Sequence, residues 1–254
     1  MNLAQTIELF CAGTSEGALK AWEVRHGESA DKWQKVGNQM GSNPGGVYKD
    51  EEGTKHYVKF YDNTERMRSE NLANSIYKEL GIKAPDTKLV TMDGKEAIAS
   101  KFIPNPQSMS KNDITLHDDV KKGFVADAYL ANHDVMGLTF DNIMRSGDSA
   151  YRIDNGGAMF YRAQGARKSL FDQHPNDVPE IDSMRNPEIA REAGQVYKNV
   201  REGSMKNQSD HLVKTLTDTK LDSLVKSAGF SGADADRYGK YLKGRRNYLA
   251  ERFK

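Results

Sequence analysis

Hydrophobic and polar positions follow two different periods along this chain. Between residues 37 and 104 short alternating runs dominate. A Gly-rich stretch enters a strand at Val47-Tyr48, Lys49–Gly53 is a polar turn, and His56-Tyr57-Val58-Lys59-Phe60-Tyr61 reads as a second strand. Thr87–Met92 and Ala97–Ile103 are two more strand-like runs, and the Asp93-Gly94 pair between them predicts a hairpin. Pro104 and Pro106 end the sheet. One helical period interrupts this region: Leu72, Ile76 and Leu80 recur every four residues over 64–80, and Gly81 stops them. Beyond residue 105 helices are expected to dominate. Residues 107–121 read as loop and Lys122–Asn132 as a buried helix. Phe140–Met144 and Ala150–Ile153 form a tight hairpin, and 169–186 read as loop. Asn186-Pro187-Glu188 starts a helix, Asp218–Ala228 is another, and Ser231–Phe253 is the last. Residues 1–36 carry a weak apolar stripe (Leu3, Ile7, Leu9, Phe10) and two aromatic anchors, Trp22 and Trp33. The expected fold class is therefore α+β. A helical N-terminal extension (1–36) precedes a small antiparallel lobe (37–104) and a mainly helical lobe (105–254).

Composition narrows the function classes. At 254 residues the chain can bury a sizeable core. Its net charge of +1 and lack of a basic block give no pointer to nucleic acid. The single cysteine, Cys11, excludes an internal disulfide framework and suits a reducing compartment. No apolar run is long enough to insert in a membrane, and the N-terminus lacks a signal-peptide pattern. The expected location is the cytoplasm, of the producing cell or of a target host.

The chemistry concentrates in residues 130–157, LANHDVMGLTFDNIMRSGDSAYRIDNGG. Asp141, Asn142 and Asp154 fall at the ends of the tight hairpin, and Asp134 ends the helix-like run before it. Oxygen groups so clustered suit Mg²⁺ held against phosphate oxygens. Upstream, Gly41-Ser42-Asn43-Pro44-Gly45-Gly46 is a candidate phosphate cradle through Ser42, Gly45 and Gly46, although such a run is more often only a turn. A lone strand lysine such as Lys59 is usually a solvated edge residue, and a helix Glu such as Glu70 or Glu65 is often solvated. Arg162, Arg167 and Lys168 are candidates to meet a phosphate or an acidic acceptor. The basic positions of the last helix (Arg237, Lys240, Lys243, Arg245, Arg246) read most simply as a solvated face.

Asp141-Asn142-Ile143-Met144, a turn, and then Ile153-Asp154-x-Gly156 resemble the catalytic loop and metal-binding segment of phosphoinositide kinases. Asp-Asn-Gly at 154–156 is more similar to actin-fragmin kinase and HipA-type bacterial kinases. The longer run Asn132–Gly157 with 162–168 resembles kinase-like domains of bacterial effectors and phage-associated proteins. The resemblance covers roughly residues 41–168. It implies a bilobal protein-kinase-like fold with ATP and Mg²⁺ as cofactors. Lys59 would hold the nucleotide phosphates, Glu70 would orient Lys59, Asn142 and Asp154 would bind Mg²⁺, and the backbone near Phe102–Pro104 would meet adenine. It implies phosphoryl transfer to a hydroxyl on a protein substrate, with Asp134 orienting or deprotonating the acceptor. The family spacing of five from catalytic Asp to Asn would fall on Gly137. Asp134 lies eight before Asn142, so its role assumes a three-residue insertion, and Asp141 is the competing candidate. A lipid kinase, an AMP transferase or a catalytically silent pseudokinase-like binding module are the alternatives.

Overall fold

The computed structural model describes residues 26–254. The expectations for Cys11, Trp22 and the apolar stripe before them lie outside the described residues. The first lobe is a six-stranded sheet ordered β1-β5-β6-β4-β3-β2. These strands are β1 (Glu28–Ser29), β2 (Gln34–Gly37), β3 (Gly45–Lys49), β4 (Lys55–Phe60), β5 (Thr87–Met92) and β6 (Lys95–Lys101). The β3–β4 turn is built by Asp50, whose carboxylate accepts the Glu52 and Thr54 amides and meets His56 at 2.8 Å. The β5–β6 turn is the expected hairpin, with Asp93 and Gly94 both at positive φ. Two residue ranges correct the expected extension. β1 pairs with β5 and β2 with β3, so residues 28–37 belong to the sheet. Trp33 is an anchor there, stacked on His56 at 4.7 Å.

Helix α1 (Thr64–Glu79) crosses the sheet, capped by the Asn63 side chain, which accepts the Arg66 amide. Met67 packs on Leu89 and Ile98 of the sheet, while Leu72, Ala73, Ile76 and Tyr77 join the core of the second lobe. One helix therefore belongs to both hydrophobic layers.

The second lobe holds a small sheet, β7 (Gln107–Ser108), β8 (Ile143–Ser146) and β9 (Ser149–Arg152), and the remaining helices. These are α2 (Lys111–Leu116), α3 (Asp118–Lys122), α4 (Phe124–Tyr129), α5 (Glu180–Ser183), α6 (Arg191–Tyr197), α7 (Glu202–Thr215), α8 (Asp218–Ser227) and α9 (Gly232–Arg252). The α+β plan of a sheet lobe followed by a helical lobe is the one expected. No helix among the described residues is long and apolar enough to cross a membrane.

Several local expectations need correction. Residues 107–121 are not loop: Ser110 and Asp113 form a reciprocal capping box that starts α2, and α3 follows directly. The helix expected over 122–132 is α4, which ends before Leu130, and Ala131 sits at φ +48°. The helix expected at Asn186 makes only a single turn there, closed by the Ile189 and Ala190 amides on the Asn186 carbonyl, and α6 begins at Arg191 after Ala190 leaves helical backbone at φ −123°, ψ 85°. The basic face of α9 is not all solvated. Arg245 is fully buried against Glu180 (2.7 Å) and the carbonyls of Ala128, Tyr129, His174 and Asp177.

Candidate active site

The site stands on a buried polar floor. Asp127 is fully buried on α4 and takes a two-pronged bond from Arg152 at the end of β9, at 2.6 and 2.8 Å. Tyr77 of α1 donates to the same carboxylate at 2.8 Å, and Tyr197 donates to its other oxygen. From Tyr77 the network runs to Asn132, and the Asn132 amide donates on to Asn155 at 3.0 Å. Asn155 in turn donates to Asn74 of α1 at 2.7 Å and to the Arg152 carbonyl. Every one of these side chains is buried. Asn132 and Asn155 thus bond each other beneath the two segments that carry Asp134 and Asp154.

Above this floor, Lys59 of β4 reaches Glu70 of α1 at 2.7 Å and Asp154 at 3.5 Å. Burial works against the Lys59 charge, but Glu70, Tyr61 and Asp154 outweigh it and hold the ammonium well above its ordinary value. Glu70 does not merely border the buried face. It is 1 % exposed, and its second oxygen is held by the Tyr61 hydroxyl. That hydroxyl explains Gly156, where a Cβ would lie 2.9 Å from it. Glu65, the rival to Glu70, points elsewhere: it pairs with Arg167 and Arg237.

Asp134 follows the short turn after α4. The Asn142 side chain donates to the Asp134 backbone carbonyl at 2.7 Å, and the Asn142 carbonyl accepts the Ile153 amide at 3.0 Å, one residue before Asp154. The three residues are therefore tied through two hydrogen bonds. Burial, then the Asp154 and Asp141 charges, push the Asp134 carboxyl up to about 6, with the Asn142 side chain opposing them. A Cβ at Gly157 would lie 3.3 Å from the Asp134 Cβ, so Asp134 abuts the segment that follows Asp154. Asp141 is exposed and folds over Gly137, where a Cβ would meet its Oδ1 at 2.1 Å. Among the described residues, no group of three or more His, Cys, Asp or Glu side chains is placed to hold a metal by itself.

The roof is the loop between β2 and β3. Ser42 is exposed there. The Met40 and Gly41 amides donate to the Tyr57 hydroxyl at 2.9 and 3.1 Å. Gly45 and Gly46 lie inside β3 rather than in the loop, with Gly45 opposite Lys59. Sheet packing accounts for both: a Cβ at Gly45 would meet the Val58 carbonyl at 2.1 Å, and one at Gly46 the Gly37 carbonyl at 3.0 Å. Phe102 also has another role. Its N–H is taken by the Lys55 carbonyl at 3.0 Å, and it lines a cavity of about 530 Å³ with Ile82, Pro85 and Tyr151 that Lys59 and Asp154 do not enter.

Lys168 is buried and donates to the Ala131 and Met159 carbonyls at 2.8 and 2.6 Å, so it is not free to meet an acceptor. Burial pushes its ammonium down to about 7, with Glu180 acting against the fall. A neutral amine still has two N–H bonds, one for each carbonyl. Arg162 and Arg167 are likewise engaged, by Asp172 and Glu65. Sequence reasoning missed Asp127, Arg152, Asn155 and Tyr61.

No family model matches the sequence, and no curated protein sequence matches it. The fold does have solved counterparts. The proinflammatory kinase CtkA of Helicobacter pylori superposes with a TM-score of 0.56 over 89% of this chain and 96% of its own, at 13% identity. The chain has a kinase-like fold. An N-terminal 618-residue fragment of LepB from Legionella pneumophila also matches, with a TM-score of 0.44 and 13% identity over 82% of this chain and 46% of the fragment. At 13% identity the likeness to CtkA shows the kinase-like fold alone.

Proposed function

We propose that this chain transfers the γ-phosphoryl group of ATP, with Mg²⁺, to a hydroxyl on a protein acceptor. The observation that carries this reading is the Lys59 ammonium, clamped by Glu70 and directed at Asp154 beside the Asp134–Asn142 pair. Phosphoryl transfer needs little covalent chemistry from the protein, so positioning and charge carry most of the rate. Lys59 holds the nucleotide phosphates as a fixed positive charge, and Glu70 and Tyr61 keep it from wandering. The Asn142 amide nitrogen is spent on the Asp134 carbonyl, which leaves its oxygen as a ligand atom. That oxygen and the half-exposed Asp154 carboxylate would hold Mg²⁺, with phosphate oxygens and water supplying the remaining ligands. The metal, when bound, supplies neutralisation of the charge that builds on the phosphate oxygens.

Asp134 orients the acceptor hydroxyl and takes its proton. A carboxylate raised to about 6 is ionised in most molecules at neutral pH, yet basic enough to accept a proton. Its place against Gly157 and beside Asp154 supports it over Asp141. The donor set, one carboxylate and one amide oxygen, is too small to hold Mg²⁺ alone. ATP binding is therefore expected to depend on Mg²⁺, and Asp154→Asn is expected to remove that dependence. Calorimetry of ATP with and without Mg²⁺ tests this. Equal affinity in both conditions for the unmodified chain would remove the metal site from the account.

A further inference from the structure

The first turn of α1 is held from outside the sheet lobe. The Glu65 carboxylate pairs with Arg167 at 2.9 Å, with Arg237 of α9 at 2.9 Å, and accepts from the Tyr238 hydroxyl at 3.1 Å. Beside it, Arg66 donates to the Gly156 carbonyl at 3.2 Å and stacks over the Tyr61 ring at 5.0 Å. The Arg66 guanidinium is seated in the turn at Gly165, where a Cβ would lie 2.4 Å from it and where φ is +88°. One helical turn is thus joined to both ends of the segment after Asp154 and to the last helix. Five residues further along α1 is Glu70, the partner of Lys59.

The basic side chains around that segment are already engaged. Arg162 is on Asp172, Arg167 on Glu65, Lys168 on two carbonyls, and Arg245 on Glu180, which also faces His133 at 3.5 Å. A phosphate added to a loop orders it by recruiting free basic groups. Here the chain's own carboxylates, and for Lys168 two backbone carbonyls, already engage those groups.

We propose that Glu65 is a positioning residue: through Arg167, Arg237 and Tyr238 it locks α1 where Glu70 meets Lys59, so the site assembles without phosphorylation of the segment after Asp154. The assembly half of this inference stands on geometry alone, while its consequence for turnover rests on the proposed phosphoryl transfer.

The two halves are tested separately. Lys59 is 7 % exposed and paired, so an amine-acylating reagent should label it slowly in the unmodified chain. In Glu65→Gln, with unfolding monitored to confirm a folded chain, Lys59 labelling read by mass spectrometry is expected to rise severalfold. Glu65→Asp, which keeps the charge, should recover most of the protection. Arg167→Gln breaks the clasp from an exposed side chain and should reproduce a smaller rise if Glu65→Gln does not fold. Unchanged Lys59 labelling in the folded variants would overturn the clasp whether or not the chain transfers phosphate. In the transfer assay, Glu65→Gln should lower kcat more than it raises KM for ATP, and phosphatase treatment of the unmodified chain should leave turnover unchanged. Loss of turnover on phosphatase treatment, regained on rephosphorylation, would overturn the proposed independence from modification. An absence of transfer in every sample would count against the kinase reading and leave the labelling result to decide the clasp.

Discussion

The roof and the floor of the cleft are built on opposite terms. The roof, residues 38–44, is mostly exposed, and the Tyr57 hydroxyl ties it through two amides. The floor buries Asp127, Arg152, Asn132 and Asn155 completely and links them to Tyr77 and Asn74 of α1. The contrast separates two tasks. The charged groups of the site stand on a buried hydrogen-bonded network, in which only the Asn132 Oδ1 and the Arg152 Nη1 have no hydrogen-bond partner among the described residues. The surface that, on the proposed function, would close over a nucleotide and release it has few contacts. Helix α1 is on the rigid side of this division, though it packs on the sheet, because its buried stripe is shared with the helical lobe.

Breaking the floor should have the largest effect. Asp127→Asn leaves the Arg152 guanidinium buried without its countercharge, so unfolding in urea is expected to show a loss of about 3–5 kcal/mol. A loss below about 1 kcal/mol would mean that the network is not the support described here. Next in size is the acceptor side. Asp134→Ala is expected to lower turnover by about a hundredfold or more while leaving ATP affinity near that of the unmodified chain. Asp141→Ala, on an exposed side chain, should cost only a few-fold. The reverse ranking in steady-state kinetics would exchange the two roles.

The floor, the strand lysine and the helix differ in how much the sequence disclosed of them. Lys59, Glu70, Asn142 and Asp154 sit in short local patterns: a strand, an i, i+4 stripe and a hairpin. Local sequence places each on its element, and the resemblance to kinases supplies the roles expected of them. Asp127 and Arg152 are 25 residues apart and gain meaning only when α4 and β9 pack together. Asn155 reads locally as a turn residue, yet its amide spans to α1, 81 residues earlier. Arg245 reads as a solvated cation and Lys168 as a candidate phosphate contact, because nothing nearby in sequence announces the carbonyls that surround them. The α2 start was legible: Ser110-x-x-Asp113 is a capping signature, passed over because the segment has little apolar periodicity.

The pH dependence sharpens the comparison further. If Asp134 takes the acceptor proton as proposed, its carboxyl, raised to about 6, must first be ionised, so kcat/KM should rise with pH through about 6 and level above it. In folding the sign is opposite. The folded chain binds this proton more tightly than the unfolded one, so the stabilisation is full below the ordinary carboxyl value and fades as pH rises through about 6. Asp154→Asn removes a neighbouring charge, and an NMR-monitored titration should find the Asp134 value lowered. The smallest effect belongs to the roof. Tyr57→Phe deletes the tie to Met40 and Gly41, a change worth about 1 kcal/mol or less, and should raise KM for ATP a few-fold with little change in melting temperature. A fall in KM would mean that the hydroxyl competes with the phosphates for those amides.

The central claim is the transfer itself. The full chain, incubated with Mg²⁺ and either γ-labelled or α-labelled ATP plus a mixture of protein acceptors, tests it most directly. Label is expected to reach protein from the γ position only, and Asp154→Asn is expected to lower that transfer about a thousandfold, equivalent to about 4 kcal/mol. Transfer from the α position, or γ transfer that survives in a folded Asp154→Asn chain, would contradict the account.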